Sequence, residues 1–274
     1  MPSATNKQVT ISSRLRSFYR SPLFDILQFI ALVLILAKLA AGSIENLGYN
    51  WQWYRIPSFI LTTTDEGMGA GPLLQGLGIT IKISAVSMVF ALLLGLTVAL
   101  FRLSHSPVAR LIARIYLETS RNTPLLIQLF FIYFVLGPVL GLERFTSAVL
   151  ALSLFEGAYI SEIFRSGILS VSTGQKEAAA SIGLNRFYTY RFIILPQAIR
   201  TILPPLTSQA ISLIKDSALV STIAIYDLTM QAQSLISETY LTFEIWFTVA
   251  LLYLVITITL SLFVTNLEKR LKLP

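Results

Sequence analysis

The 274-residue chain has no cysteine and a single histidine, His105. Without cysteine there is neither a disulfide nor a thiolate metal site, and one imidazole leaves little for a histidine-based one. Charge is scarce as well. Only 13% of residues are Asp, Glu, Lys or Arg, against about a quarter in an ordinary soluble domain. No nucleophile–base pair or ligand cluster is discernible, so no catalytic residue and no metal are expected, and a membrane-embedded enzyme is disfavoured. His105, between Ser104 and Ser106, reads as a solvated loop residue. A glycine-rich loop ending in Lys-Ser/Thr is also missing. Gly67-Met-Gly-Ala-Gly71-Pro72 lacks that ending and reads as a flexible entry into a helix, not a phosphate cradle.

What the chain has in quantity is apolar sequence: 54% of residues are hydrophobic and the mean hydropathy is +0.71. A helix needs about 20 apolar residues to cross a bilayer, and such runs recur. The fold class expected is an all-α membrane protein with six transmembrane helices, at 23–42, 72–101, 122–141, 145–166, 200–221 and 244–265. The first run follows Lys7, Arg14, Arg16 and Arg20, as a signal peptide would. It is too long for a secretory h-region and no small-x-small cleavage site is evident, so it reads as a retained helix.

Lys and Arg in short loops mark the cytoplasmic side. Four lie in 1–22, four in 102–121, five in 165–200 and three in 267–274, sixteen of the 21 in all. Glu45, Asp65, Glu66, Glu143, Asp227 and Glu238 fall on the other side with only Arg55 and Arg144. Both termini are therefore expected in the cytoplasm (N-in/C-in). The net charge of +7 is a topology signal, and the partner it implies is a lipid bilayer, not nucleic acid. The organisation expected is a cytoplasmic tail (1–22), an extra N-terminal helix (23–42), an external connection (43–71), a core (72–266) and a second cytoplasmic tail (267–274). Tyr49, Trp51, Trp53 and Tyr54 in the connection suit an interfacial aromatic belt.

The connection 165–200 is long for a small membrane protein. Its alanine-rich stretch Glu177-Ala178-Ala179-Ala180 favours helix, Gly183 is a natural stop, Phe187 and Tyr188 supply apolar contacts, and Pro196 is expected to end the segment. A short helix held parallel to the membrane can fit a groove on another protein and transmit force to two spans.

Glu177-Ala178-Ala179, three residues, Gly183, nine residues, then Ile193-Ile194-Leu195-Pro196 resembles the EAA loop of ATP-binding-cassette (ABC) importer permeases. Glu118 to Gln128, Gly157 to Arg165 and Ile211 to Ser221 resemble polar amino-acid permeases of that family. The similarity covers roughly 72–270. It implies a type I importer core of five helices plus one extra, with a coupling loop at about 172–197. Glu177, Ala178, Ala179, Gly183 and Phe187 would then meet a separate ATPase subunit. It implies two permease chains (identical or paralogous), two ATPase chains carrying the ATP and Mg, an external or periplasmic amino-acid-binding protein, and a bacterial inner membrane. No cofactor is expected in this chain, nor ATP hydrolysis of its own.

Ionisable side chains within spans are costly and mark cavities or partners. Glu156 sits about 16 Å into its span at 1.5 Å per residue, close to mid-membrane, and is the expected ligand for a substrate's α-ammonium or cationic side chain. The alternative is a structural hydrogen bond to a neighbouring helix. Gly157 and Ala158 beside it leave room for a ligand or another helix. Gly76, Thr80 and Ser84 share one face of the second span, where packing is the default reading and lining the pathway the alternative. Lys215, beside Asp216, meets either a substrate carboxylate or a structural partner, and Lys82 is placed near the outer boundary. Glu118 and Arg121 read as a gate contact or structural ion pair. The mechanism expected is alternating access. An ion-gradient-driven secondary transporter is the alternative, but it often shows internal repeats and no convincing repeat is found. The class of amino acid stays open.

Overall fold

The computed structural model describes residues 22–46, 48–64 and 67–271. The basic N-terminal run, Asp65, Glu66 and Lys272 lie outside them. The chain divides into two units, Met1–Trp51 and Gln52–Pro274. The first holds α1, Pro22–Asn46, whose apolar stretch is Phe24–Leu36. Asp25 in its opening turn complements the helix dipole. Tyr49 and Trp51 meet edge to face at 5.2 Å.

The second unit begins with the 3-10 turn Trp53–Arg55 and the short helix α2, Ile56–Ile60. Where composition suggests a flexible connection, β1 (Leu61–Thr64) and β2 (Gly67–Ala70) pair antiparallel, Leu61 opposite Ala70 and Thr64 opposite Gly67. Consecutive β-branched threonines favour extended backbone. At Gly71 the amide donates to Ile60 O at 2.8 Å. A Cβ there would come within 2.5 Å of Phe59 O, so only glycine lets the hairpin turn into the next helix.

Among the described residues three helices are long and apolar enough to cross a membrane: α3 (Pro72–Leu103), α7 (Arg144–Leu169) and α12 (Thr242–Leu271), the last over Thr242–Asn266. A fourth candidate is broken. α4 (Pro107–Arg121) and α5 (Leu125–Phe130) meet at 106°, and α5 runs through the π-helical turn Phe131–Leu136 into α6 (Gly137–Leu140). Pro124 explains the break, because the residue before a proline is pushed out of the helical region. Charge counting suggests a plain loop at 102–121, but α4 buries Ala113, Leu117 and Ser120 and Tyr116 Oη donates to Leu154 O at 2.5 Å. The basic residues there occupy one helical face and leave another free to pack.

The segment expected to couple to an ATPase consists of α8 (Thr173–Ser181) and α9 (Arg186–Thr189), followed by a π-helical turn, Tyr190–Ile194, and α10 (Leu195–Asp216). Pro196 does not end this segment. It lies just past the π-helical turn Tyr190–Ile194, where the regular i→i−4 ladder is already interrupted and a missing N–H is tolerated, and the chain stays helical from Arg186 to Asp216. The 3-10 turn Ser217–Ile223 and α11 (Leu228–Thr239) follow.

Packing sets the helix directions. Ser153 Oγ reaches Ser87 O, and Gly95 sits against Ile160 and Gly157, so α3 and α7 run parallel. Gly167 faces Ile202 while Glu156 meets Gln209, so α10 runs antiparallel to α7. Leu73, Leu228, Leu241 and Ile245 share one core cluster, so α12 starts at the end where α3 starts. At the opposite end Ile168, Val171, Ile194 and Ala198 pack with Leu103 beneath the coupling segment.

Candidate functional site

Midway along α7, Glu156 is fully buried. Gln209 Nε2 of α10 donates to its Oε2, and no amide, hydroxyl or basic side chain among the described residues donates to its Oε1. The Asp216 carboxyl of α10 stands beside the Glu156 carboxyl. Gln209 and Asp216 are seven residues apart, two helical turns, and so lie on one face of α10. Two neighbouring carboxylates in an apolar setting repel, and a cationic group brought against them relieves that repulsion. The arrangement therefore suits an ammonium or guanidinium ion.

The other residues singled out from the sequence separate into different places. Gly157 and Ala158 leave no room for a ligand. A Cβ at Gly157 would approach Tyr116 Oη to 3.0 Å and Leu94 Cδ2 to 3.1 Å, and Ala158 packs with Val98 and Ala113. The space beside Glu156 on that side is filled by α3 and α4. Thr80 is a helix joint: its hydroxyl donates to Gly76 O and accepts from Leu228 N, each at 3.1 Å. Gly76, one turn away, is closely approached by Asp227 O. Ser84 is buried with no partner for its hydroxyl. Lys82 places its ammonium 5.4 Å from the Phe145 ring centre, and Lys215 is exposed, acting on Asp216 through its charge.

Glu118 accepts from Asn122 Nδ2 at 2.9 Å, and the Arg121 guanidinium lies 5.7 Å over Tyr159. The ion pairs among the described residues lie elsewhere: Glu162 takes Arg102 from α3 and Arg165 from its own helix, clasping the ends of α3 and α7.

Beneath these ends, α8 closes as its sequence suggests. Gly183 has φ +79°, its amide reaches Ala180 O, and Leu184 N reaches Ala179 O, each at 3.0 Å. This is a Schellman closure, in which glycine takes the left-handed residue. Ala179 is buried, while Glu177 and Ala178 are exposed. Ile182 is 74% exposed and Phe187 71%. Phe187, Tyr188 and Phe192 form a continuous ring cluster. The segment thus presents an apolar, aromatic surface outward and anchors itself through Ala179.

Sequence reasoning singled out Glu156 and the Glu177–Phe187 stretch but not Gln209 and Asp216, which the structure places against Glu156. The seven-residue spacing of the latter two was the available signal.

A family model described as binding-protein-dependent transport system inner membrane component matches residues 88–273. The glutamine transport system permease protein GlnP of Escherichia coli (strain K12) is 39% identical over 204 residues, 73% of this chain and 93% of that protein. The probable glutamine ABC transporter permease protein GlnM of Bacillus subtilis (strain 168) is 40% identical over 194 residues, 70% and 90% of the two chains. Among solved structures, an amino acid ABC transporter crystallised with histidines matches with TM-score 0.69 and 39% identity over 73% of this chain and 94% of that one. The inward-facing methionine transporter MetNI matches in fold, with TM-score 0.64 at 18% identity over 74% of this chain and 97% of that one. The chain belongs to the family of binding-protein-dependent transport system inner membrane components and is a permease subunit of an ABC transporter.

Proposed function

We propose that the chain imports polar amino acids across a bacterial inner membrane by alternating access, with Glu156 receiving the substrate's ammonium group. The observation that carries this reading is the buried Glu156 carboxyl, one oxygen held by Gln209 and the Asp216 carboxyl beside it, with no basic side chain paired to Glu156 among the described residues. That relatives at 39% and 40% identity are glutamine permeases supports an amino-acid substrate. Thr80, Ser84 and Lys215 take supporting parts, the first two through packing around the pathway. Glu118 and Arg121 act as a gate contact where α4 bends.

In this reading six spans, α1, α3, the bent α4–α6, α7, α10 and α12, cross the membrane. Both termini and the basic loops are cytoplasmic, following the positive-inside rule. Two permease chains, two ATPase chains holding ATP and Mg, and an external amino-acid-binding protein complete the importer. The ATPase docks on the exposed Glu177–Ala178 surface and the Ile182–Phe187 aromatic cluster. Its closure pushes α8, and continuous helix from Arg186 to Asp216 carries that push to Gln209 and Asp216 at the substrate site.

The test is ATPase activity of the permease co-purified with its ATPase in lipid nanodiscs, stimulated by binding protein loaded with single amino acids. Stimulation by a subset of amino acids is expected. A chain that captures no ATPase, and instead moves solute down an ion gradient, would overturn the reading.

A further inference from the structure

At the end of the bundle shared with the coupling segment, a cavity of about 560 Å³ opens between α3, α4 and α7. Arg102, Arg110, Arg114, Glu118, Arg121 and Tyr159 line it. Arg110, Arg114 and Arg121 lie at i, i+4 and i+11, on one face of α4. Arg102 is committed to Glu162. Arg110 and Arg114 form no ion pair among the described residues. Glu118, bonded to Asn122, is the one carboxylate lining the recess. Several guanidinium groups thus face a shared open space, and their mutual repulsion is relieved by an anion placed between them. A guanidinium offers forked donors that match a phosphate group bidentately.

On a separate arc of the same helix Val108, Leu111, Ile112 and Ile115 are exposed, Val108 at 63% and Ile115 at 58%. A helix with a basic arc, a buried arc and an exposed apolar arc suits a membrane interface. Basic side chains beside an apolar surface at that depth attract anionic headgroups.

We propose that this recess binds the phosphate group of an anionic phospholipid, whose acyl chains lie along Val108, Leu111, Ile112 and Ile115. The apolar arc beside the arginines favours a lipid over a soluble phosphate. The proposal rests on the membrane placement given above and not on the transported substrate, so the two fail separately.

The test is native mass spectrometry of the permease–ATPase complex equilibrated with phosphatidylglycerol and phosphatidylcholine of identical acyl chains. The wild-type complex retains phosphatidylglycerol in preference. At about fivefold per basic side chain, the double variant Arg110→Gln/Arg114→Gln lowers that occupancy by about 25-fold, while Arg110→Lys/Arg114→Lys keeps part of it. Fold is controlled by co-purification with the ATPase and an unchanged unfolding temperature in phosphatidylcholine, and the headgroup preference of the wild type stands without any variant. Equal retention of the two lipids, or phosphatidylglycerol occupancy unmoved by the Gln variant, overturns the proposal. So does release of the lipid by millimolar inorganic phosphate, which makes a soluble anion the occupant. A wild-type complex that shows no lipid preference but keeps amino-acid-stimulated ATPase sinks this inference and leaves the transport reading standing.

Discussion

Gln209 of α10 donates to the carboxylate of Glu156 on α7, joining two antiparallel helices through residues 53 positions apart. No amide, hydroxyl or basic side chain among the described residues donates to the other Glu156 oxygen, and the bond connects the carboxyl to the helix that continues from the coupling segment. A movement of α10 therefore alters the carboxyl that is proposed to hold the substrate.

Replacing Glu156 by Gln keeps the side-chain size and removes the charge. A hydrogen bond to a charged group contributes about 1.5–3 kcal/mol, so the apparent KM for the amino acid should rise roughly 10- to 100-fold. Coupling to the ATPase should stay intact. Uptake into proteoliposomes measures it. An unchanged KM with unchanged substrate preference would show that Glu156 is only a helix-to-helix contact.

Gly183→Ala meets no steric obstacle, because nothing lies within 4 Å of the added Cβ. The cost is backbone strain alone, about 1–2 kcal/mol for a non-glycine residue in the left-handed region. Hydrogen exchange at the Gly183 and Leu184 amides should accelerate about 5- to 30-fold, with α3 and α7 unaffected. Exchange rates matching the wild type would mean that the α8 closure contributes nothing to order there.

Gly95 lets α3 approach α7, since an added Cβ would lie 2.6 Å from Ile160 Cγ2. Gly95→Ala should destabilise by about 1–3 kcal/mol through overpacking. Ile160→Ala, itself destabilising, should soften that effect in a double-mutant cycle. Thermal unfolding in detergent reads both. Strictly additive effects would rule out this contact as the cause.

Asp227 caps α11, its carboxylate accepting from Met230 N at 2.9 Å. Burial raises its pKa to about 6, the Met230 bond opposing that shift, against about 3.9 unfolded. An acid raised on folding stabilises the native state fully below its unfolded pKa and loses that contribution as pH rises through about 6. Asp227→Asn keeps the cap and carries no charge. It should unfold like the wild type only below about pH 4 and at higher temperature at pH 8, by about 1–3 kcal/mol. Parallel unfolding curves from pH 4 to 8 would contradict a charge penalty at this position.

Much of the architecture was legible because it depends on residues close in sequence. Apolar runs about 20 residues long marked the helices that became α3, α7 and α12. Alanines followed by Gly183 marked α8 and its left-handed closure, since both are local backbone properties. The bend at Pro124 was less legible. The basic residues of α4 read as a loop until Ala113 and Leu117 were seen packed against neighbouring helices. Pro196 misled in the other direction, because a proline that breaks a regular helix interior is tolerated beside a π-helical turn.

The sequence by itself determined a multi-span helical chain, the connections in which its basic residues gather, and the short alanine-rich helix closed by Gly183. These follow from hydrophobic length, charge placement and capping, which need no knowledge of distant residues. Only the tertiary structure decided that Glu156 meets Gln209 and Asp216, that Thr80 joins α3 to Leu228, and that arginines of α3 and α4 share one recess. Those contacts depend on which helix faces come together. Close approach at glycines such as Gly95 and Gly157 selects those faces, and no local pattern carries that information.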